Sequence, residues 1–191
     1  MKTIQILLGS KSPRRQEILA GMGFSFRLVT QDVEESFPQY LEPENVALFL
    51  AQKKGESIKN VLKNEHEILL TCDTTVILEG KLYEKPKDQQ EAIDMLNKLQ
   101  GKKHKVVSGV FLQSLHQSLA FSETTWVEFA EMSTAEIQFY VQQYQPMDKA
   151  GAYGIQEWLG YNKIKSIEGS FYNVMGLPAA SVYHHIMNWK F

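Results

Sequence analysis

"EILLTCDTTVILEGKLYEKP", residues 67–86, decides how this chain is built. Apolar residues Leu69, Leu70, Val76, Ile77 and Leu78 mark a long strand, and Gly80 marks a turn into a short return strand. Asp73 interrupts that strand, although aspartate is depleted in strands. A buried carboxylate is costly unless it is paired, hydrogen-bonded or near a cation. Two readings fit. Asp73 sits at a strand end or bulge, where Thr71, Thr74 and Thr75 can supply hydroxyl bonds, or it is a metal-binding or general-base carboxylate.

Upstream, Thr3 to Leu8 reads as a buried strand ended by Gly9, and Ser12-Pro13 as a helix start with Ser12 at the N-cap. Ile18, Leu19 and Met22 give this helix an apolar face, and Gly23 can end it. Phe24 to Thr30 resembles a strand, followed by a polar, acidic connection. A longer helix is expected from Pro43 to about Lys63, with Val46, Ala47, Leu50, Ile58, Val61 and Leu62 facing the core.

Downstream, Asp88 opens a helix that Gly101 stops, and two strand-like stretches, 104–113 and 119–131, form a hairpin. Ser133 and Glu136 have capping-box spacing and open a helix through Tyr144; Pro178 opens a C-terminal helix. No repeat or linker divides residues 1–191, so a single domain is expected. Its class is α/β, or mixed α+β, around one mixed sheet.

Lys and Arg number 20 against 22 Asp and Glu, giving a net charge of -2, which argues against a general nucleic-acid coat. The single cysteine, Cys72, suggests a reducing compartment. The N-terminal stretch lacks a signal-peptide pattern, and no apolar run reaches the ~18 residues of a membrane span. A cytoplasmic protein with no membrane and no nucleic-acid partner is expected.

The loop "GSKSPRR", residues 9–15, leads into the first helix. A helix N-terminus presents unbonded N–H groups and partial positive charge, which favour an anion. Ser10 and Ser12 can donate hydroxyl bonds, and Arg14 and Arg15 can clamp phosphate oxygens with paired N–H groups. A capped helix with two solvated arginines accounts for the same residues. Lys54 and Lys85, taken singly, read as surface lysines, and Glu34-Glu35 as a solvated pair or part of a metal site. The glycines of "DKAGAYGIQ" and "EGSFYNVMGLP" allow tight turns or close backbone approach to a ligand, and Gln156 can read a nucleobase edge. His184-His185 has no companion spacing for zinc, Cys72 has no evident base, and neither a Walker loop nor a dinucleotide fingerprint is present.

Taken together, these blocks resemble the Maf family of nucleotide pyrophosphatases. "SKSPRRQEIL", "EES", "AQKK", "CDTTVILEGKLYEKP", "AIDMLNKLQGKKHKVVSGV", "MDKAGAYGIQ" and "GSFYNVMGLP" occur in the family's order over nearly the whole chain. The resemblance implies a long curved mixed sheet flanked by helices, with a cleft between two lobes, related in shape to the inosine triphosphate pyrophosphatases. It implies hydrolysis of a nucleoside triphosphate to the monophosphate and pyrophosphate with a divalent cation, Mg2+ or Mn2+. Asp73 falls on the family's catalytic base, and Ser10, Arg14, Arg15, Lys54 and Lys85 on its phosphate-contacting positions. Glu35 falls on an acidic position near the metal, which Asp73 also serves. Arg14, Thr74 and Gln156 match the pattern of the subgroup acting on dTTP and UTP; the 7-methyl-GTP subgroup typically has Trp at the Arg14 position. Gly9 and Cys72 depart from a common Ala, and Ser108 from a common Thr. The resemblance also suggests a homodimer. Two alternatives remain open on the sequence: a house-cleaning pyrophosphatase for modified nucleotides, and a non-catalytic nucleotide-binding regulator of cell division.

Overall fold

The computed structural model describes residues 4–29 and 32–190. Its elements run β1 (Gln5–Leu8), α1 (Pro13–Gly21), β2 (Phe26–Leu28), α2 (Pro43–Ile58), β3 (Glu67–Leu78), β4 (Lys81–Tyr83) and α3 (Gln89–Leu99). They continue with β5 (Lys103–Gln113), β6 (Ser118–Phe129), α4 (Thr134–Tyr144), α5 (Trp158–Lys163), β7 (Ile164–Glu168), α6 (Phe171–Met175) and α7 (Ala179–Met187). The strands form a seven-stranded sheet in the order β2-β1-β3-β5-β6-β7, with β4 paired to β3. β1 pairs parallel with β2 and β3, whereas β3–β4 and β6–β7 are antiparallel. The fold is thus the expected mixed α/β arrangement. Among the described residues, no helix is long and apolar enough to cross a membrane.

The chain divides into two compact units. One comprises Met1–Asp73, Ser108–Glu123 and Gly176–Phe191, the other Thr74–Val107 and Thr124–Met175. The divisions fall inside β3, β5 and β6, so three strands carry residues of both units.

In the first unit α2 lies directly on the sheet because two positions lack a side chain. A Cβ on Gly109 of β5 would stand 2.3 Å from the Leu48 backbone, and one on Gly55 of α2 would stand 2.2 Å from the Phe111 ring. The Thr71 hydroxyl of β3 then donates to the Ala51 carbonyl of α2 at 2.7 Å. Leu7, Val29, Ile58, Leu62 and Leu69 close a small apolar cluster in this unit.

The second unit holds the larger cluster, in which Met95, Leu96 and Leu99 of α3 and Ile137, Tyr140 and Val141 of α4 pack with Val106, Val127 and Phe129 of the sheet. Local signals set its helix starts. The Asp88 side chain accepts from the Glu91 N–H, and Ser133 with Glu136 forms a reciprocal capping box. Glu79 (φ 52°) and Gly80 (φ 74°) both take positive φ in the β3–β4 turn, as a tight primed hairpin turn requires.

Four expectations need adjustment. Ser12 stands at the N-cap of α1 with no side-chain capping bond; its own N–H donates to the Ser10 hydroxyl at 3.2 Å instead. α2 ends at Ile58 and tightens into a 3-10 turn over Lys59–Val61, short of Lys63. There the Glu67 carboxylate accepts the Lys63 and Asn64 N–H groups at 2.6 and 3.1 Å, turning the chain into β3. The second strand covers only Phe26–Leu28, while Thr3 and Thr30, expected at strand ends, lie outside the described residues. β7 was not expected at all, and its residues are mostly exposed.

His104 is a buried titratable group of the second unit, fully enclosed and 2.8 Å from the Tyr153 hydroxyl. Burial pushes its pKa down to about 4. The unfolded chain therefore gains a proton near pH 6.5 that the folded protein refuses until about pH 4. Stability is expected to fall by about 3 kcal/mol as pH drops across that interval. Urea unfolding of wild type and His104→Gln at both ends of the interval checks this. A pH slope as steep in the variant as in wild type would assign the effect to other groups.

Candidate active site

Pro13 at the first position of α1 fixes the start of the helix, so the loop ahead of it and the first turn are set together. Ser10 is buried, and its hydroxyl oxygen accepts from Ser12 N and from Arg15 Nη1, each at 3.2 Å. Two accepted bonds leave its own proton to donate outward, to an acceptor such as a phosphate oxygen. Arg15 is anchored at the other end of its guanidinium, where Nε donates to the Gly176 carbonyl at 2.8 Å. That carbonyl also accepts from the buried Cys72 thiol at 3.2 Å. One oxygen thus joins the arginine of α1 to the strand residue beside Asp73. Arg14 precedes Arg15 in the same turn and is half-buried.

The charged centre lies on α2 and β3. Lys54 Nζ donates to Asp73 Oδ1 at 2.5 Å and to Glu35 Oε1 at 2.6 Å. Burial alone would push the Lys54 ammonium down. The Asp73 charge, with hydrogen bonds to Asp73 and Glu35, outweighs that cost and raises its pKa above the ordinary lysine value. The neighbouring Lys53 grips the next residue of the acidic loop, donating at 2.9 Å to both the Ser36 carbonyl and its hydroxyl. Consecutive lysines therefore hold consecutive loop residues, which fixes Glu35 although its side chain is 44% exposed.

This arrangement joins Asp73, Lys54 and Glu35 into one cluster, and Ser10 to Arg15. Thr74, Lys85 and Gln156 belong to the other unit. Thr74 follows Asp73 on β3 and is half-buried, and Lys85 is exposed just beyond β4. Gln156 sits on a tight turn in which the Glu157 N–H donates to the Gly154 carbonyl at 3.2 Å. Its amide oxygen is buried and has no hydrogen-bond partner among the described residues. An unpaired buried carbonyl is uncommon in a folded protein and is consistent with a donor arriving on a ligand.

Among the described residues no three His, Cys, Asp or Glu side chains group as a metal cluster. The available donors are the carboxylates of Asp73 and Glu35. They suit magnesium, which is ordinarily held by one or two carboxylates and completes its shell with water and substrate phosphate.

Sequence reasoning did not single out Gly176, whose carbonyl anchors Arg15, or Gly109, which lets α2 approach the sheet. Gly176 lies inside a motif noticed for its glycines, which was the available signal.

The family model described as "Maf-like protein" matches residues 5–189. A dTTP/UTP pyrophosphatase of Porphyromonas gingivalis is 44% identical over 191 residues, covering 99% of this chain and 96% of that protein. A dTTP/UTP pyrophosphatase of Bacteroides thetaiotaomicron is 44% identical over 180 residues, covering 94% and 93% respectively. Among solved structures, the Ham1 protein of Staphylococcus aureus aligns over 66% of this chain and 72% of its own, at 17% identity and a TM-score of 0.49. With the match to the family running through nearly every residue, from β1 to the end of α7 and beyond, the chain belongs to the Maf family.

Proposed function

We propose that this enzyme hydrolyses nucleoside triphosphates, dTTP and UTP foremost, to the monophosphate and pyrophosphate. The observation that carries the proposal is the Lys54 ammonium held between Asp73 and Glu35. Such a cluster presents a carboxylate beside a fixed cation, which suits proton removal next to a phosphate. The relatives named as dTTP/UTP pyrophosphatases support the choice of substrate.

Asp73 takes the proton of the attacking water as its oxygen bonds to the α-phosphorus. The bond from that phosphorus to the bridging oxygen breaks, and pyrophosphate leaves with the electron pair. Lys54 holds Asp73 in place before the step. Arg15, braced by Gly176, and the Ser10 hydroxyl offer donors where charge grows on the phosphate oxygens. Arg14 and Lys85 add positive charge for the triphosphate and the departing pyrophosphate. Asp73 and Glu35 are the residues that would hold a divalent cation, whose contribution is charge neutralisation on the phosphate oxygens. Thr74 and Gln156 are assigned to the base. A glutamine amide offers one acceptor and one donor group, enough to pair with uracil or thymine.

Chromatography of a UTP reaction in magnesium is expected to show UMP and pyrophosphate. UDP with orthophosphate as the main products would exclude attack at the α-phosphorus. A chelator is expected to abolish turnover, since the ion supplies several kcal/mol of charge stabilisation. Full activity in excess chelator would remove the metal from the proposal. A panel of ordinary and modified triphosphates tests the substrate; a modified nucleotide well ahead of UTP and dTTP would favour the house-cleaning alternative.

A further inference from the structure

The turn that carries Gln156 is held at both ends by one phenol. Tyr140 on α4 accepts from the Gly154 N–H at 2.9 Å and donates to Glu157 Oε2 at 2.5 Å. Gly154 and Glu157 are the first and last residues of the turn, with Ile155 and Gln156 between them. The second oxygen of Glu157 lies 3.1 Å from the Lys149 ammonium, which is only 8% exposed and also meets Asp148 Oδ1 at 2.8 Å. Burial and the hydrogen bond to Glu157 push the Tyr140 phenol upward, so it stays protonated and keeps its donor role.

Packing leaves the turn no slack. A Cβ on Gly154 would stand 2.7 Å from the Glu157 carboxyl carbon, and one on Gly160 of α5 would stand 1.6 Å from the Ile155 carbonyl oxygen. A Cβ on Gly151 would meet Val76 at 2.9 Å. The Tyr140 ring is itself fixed in the core, fully buried and stacked on Tyr144 with ring centroids 5.1 Å apart. Every one of these contacts lies within the second unit.

A buried ion pair contributes little net stability against its desolvation cost. Its evident use here is to fix a backbone position. We propose that Tyr140, Glu157 and Lys149 are positioning residues for base discrimination: they hold the turn so that the buried amide oxygen of Gln156 meets the pyrimidine at a fixed place. This rests on the reading of Gln156 as the residue that meets the base. A site built around buried polar pairing discriminates strongly only while its groups are held in register.

The test compares kcat/KM for UTP and CTP, in magnesium, across wild type, Tyr140→Phe, Gln156→Leu and the double variant. Ile137→Val, also buried on α4, serves as a control for lost packing alone. Tyr140→Phe keeps the ring and removes only the hydroxyl. It is expected to narrow the UTP-over-CTP preference about 10-fold, roughly one hydrogen bond's worth, with a smaller change in kcat for UTP. Ile137→Val is expected to lower the melting temperature and leave the preference unchanged. In the Gln156→Leu background, Tyr140→Phe is expected to have no further effect on preference, because the two act through one contact. If Tyr140→Phe does not yield soluble protein, Glu157→Gln, which uncouples the turn from Lys149, carries the same expectation.

A collapsed preference in Gln156→Leu beside a wild-type preference in Tyr140→Phe or Glu157→Gln overturns the clamp and leaves the reading of Gln156 standing. A wild-type preference in Gln156→Leu, or none in the wild type, overturns that reading and the clamp with it. An equal narrowing in Ile137→Val would reduce Tyr140 to a packing residue.

Discussion

Asp73→Asn is expected to lower turnover on UTP by at least ~100-fold, the lower end for loss of a general base. The substitution preserves shape and removes the charge. An amide cannot accept the proton of the attacking water, and it is a poorer ligand for a cation. A second consequence follows on α2. Burial pushes the Lys54 ammonium down, and the Asp73 charge is the largest effect opposing it. With asparagine at position 73, Glu35 is the charged partner left on Lys54 among the described residues, so the Lys54 pKa is expected to drop. Binding of UTP should weaken far less than turnover, because the proposed phosphate contacts of Ser10, Arg14, Arg15 and Lys85 are untouched. Steady-state kcat with a separate measurement of UTP affinity checks both parts. Near-wild-type turnover would remove Asp73 from the mechanism.

Much of this centre was legible as residue types rather than as geometry. An aspartate inside an apolar strand carries a desolvation cost that asks for a partner, and the structure supplies one in Lys54. Which lysine it would be was not readable. The answer depends on α2 lying flush on the sheet, set by Gly109 and Gly55, which read locally as unremarkable strand and helix residues. The loop before α1 shows the same division. A hydroxyl there was expected to bond backbone, but Ser10 fills that role and Ser12 only donates its N–H.

The fold divides along similar lines. β3 is buried along nearly its whole length, and its apolar runs Ile68–Leu70 and Val76–Leu78 mark it from composition. Asp88 and Ser133 sit where a cap must sit, and both make the bond. β7, by contrast, has a mostly exposed surface and no apolar run; what makes it a strand is pairing with β6, from Trp126 opposite Glu168 to Phe129 opposite Ile164. Glu157 likewise reads as a surface acid until the fold brings Tyr140 and Lys149 to it. Local chemistry was readable where it is satisfied locally. Partners distant in sequence were not.

Gly109→Ala is expected to cost about 3 kcal/mol or more, and to reduce turnover beyond any loss of folded protein. The added methyl would meet Leu48 Cα and N at 2.3 Å and the Ala47 carbonyl carbon at 2.4 Å, all backbone atoms of α2. No rotamer change relieves such a clash, so the helix must lift from β5. Lys54 lies further along that helix, and lifting it lengthens the contact with Asp73 that the proposed mechanism needs. Two other glycines grade the effect. At Gly55 the obstacle is the Phe111 ring, a side chain with some freedom to shift, so Gly55→Ala should cost less. At Gly21, in the last turn of α1, an added Cβ meets nothing within 4 Å, and Gly21→Ala should stabilise by about 0.5 kcal/mol through the unfolded chain. Urea unfolding of the three variants, with kcat measured on the folded fraction, gives the ranking. If Gly109→Ala proves as stable as Gly21→Ala, α2 does not rest on β5 through that glycine, and the account of how Lys54 reaches Asp73 fails with it.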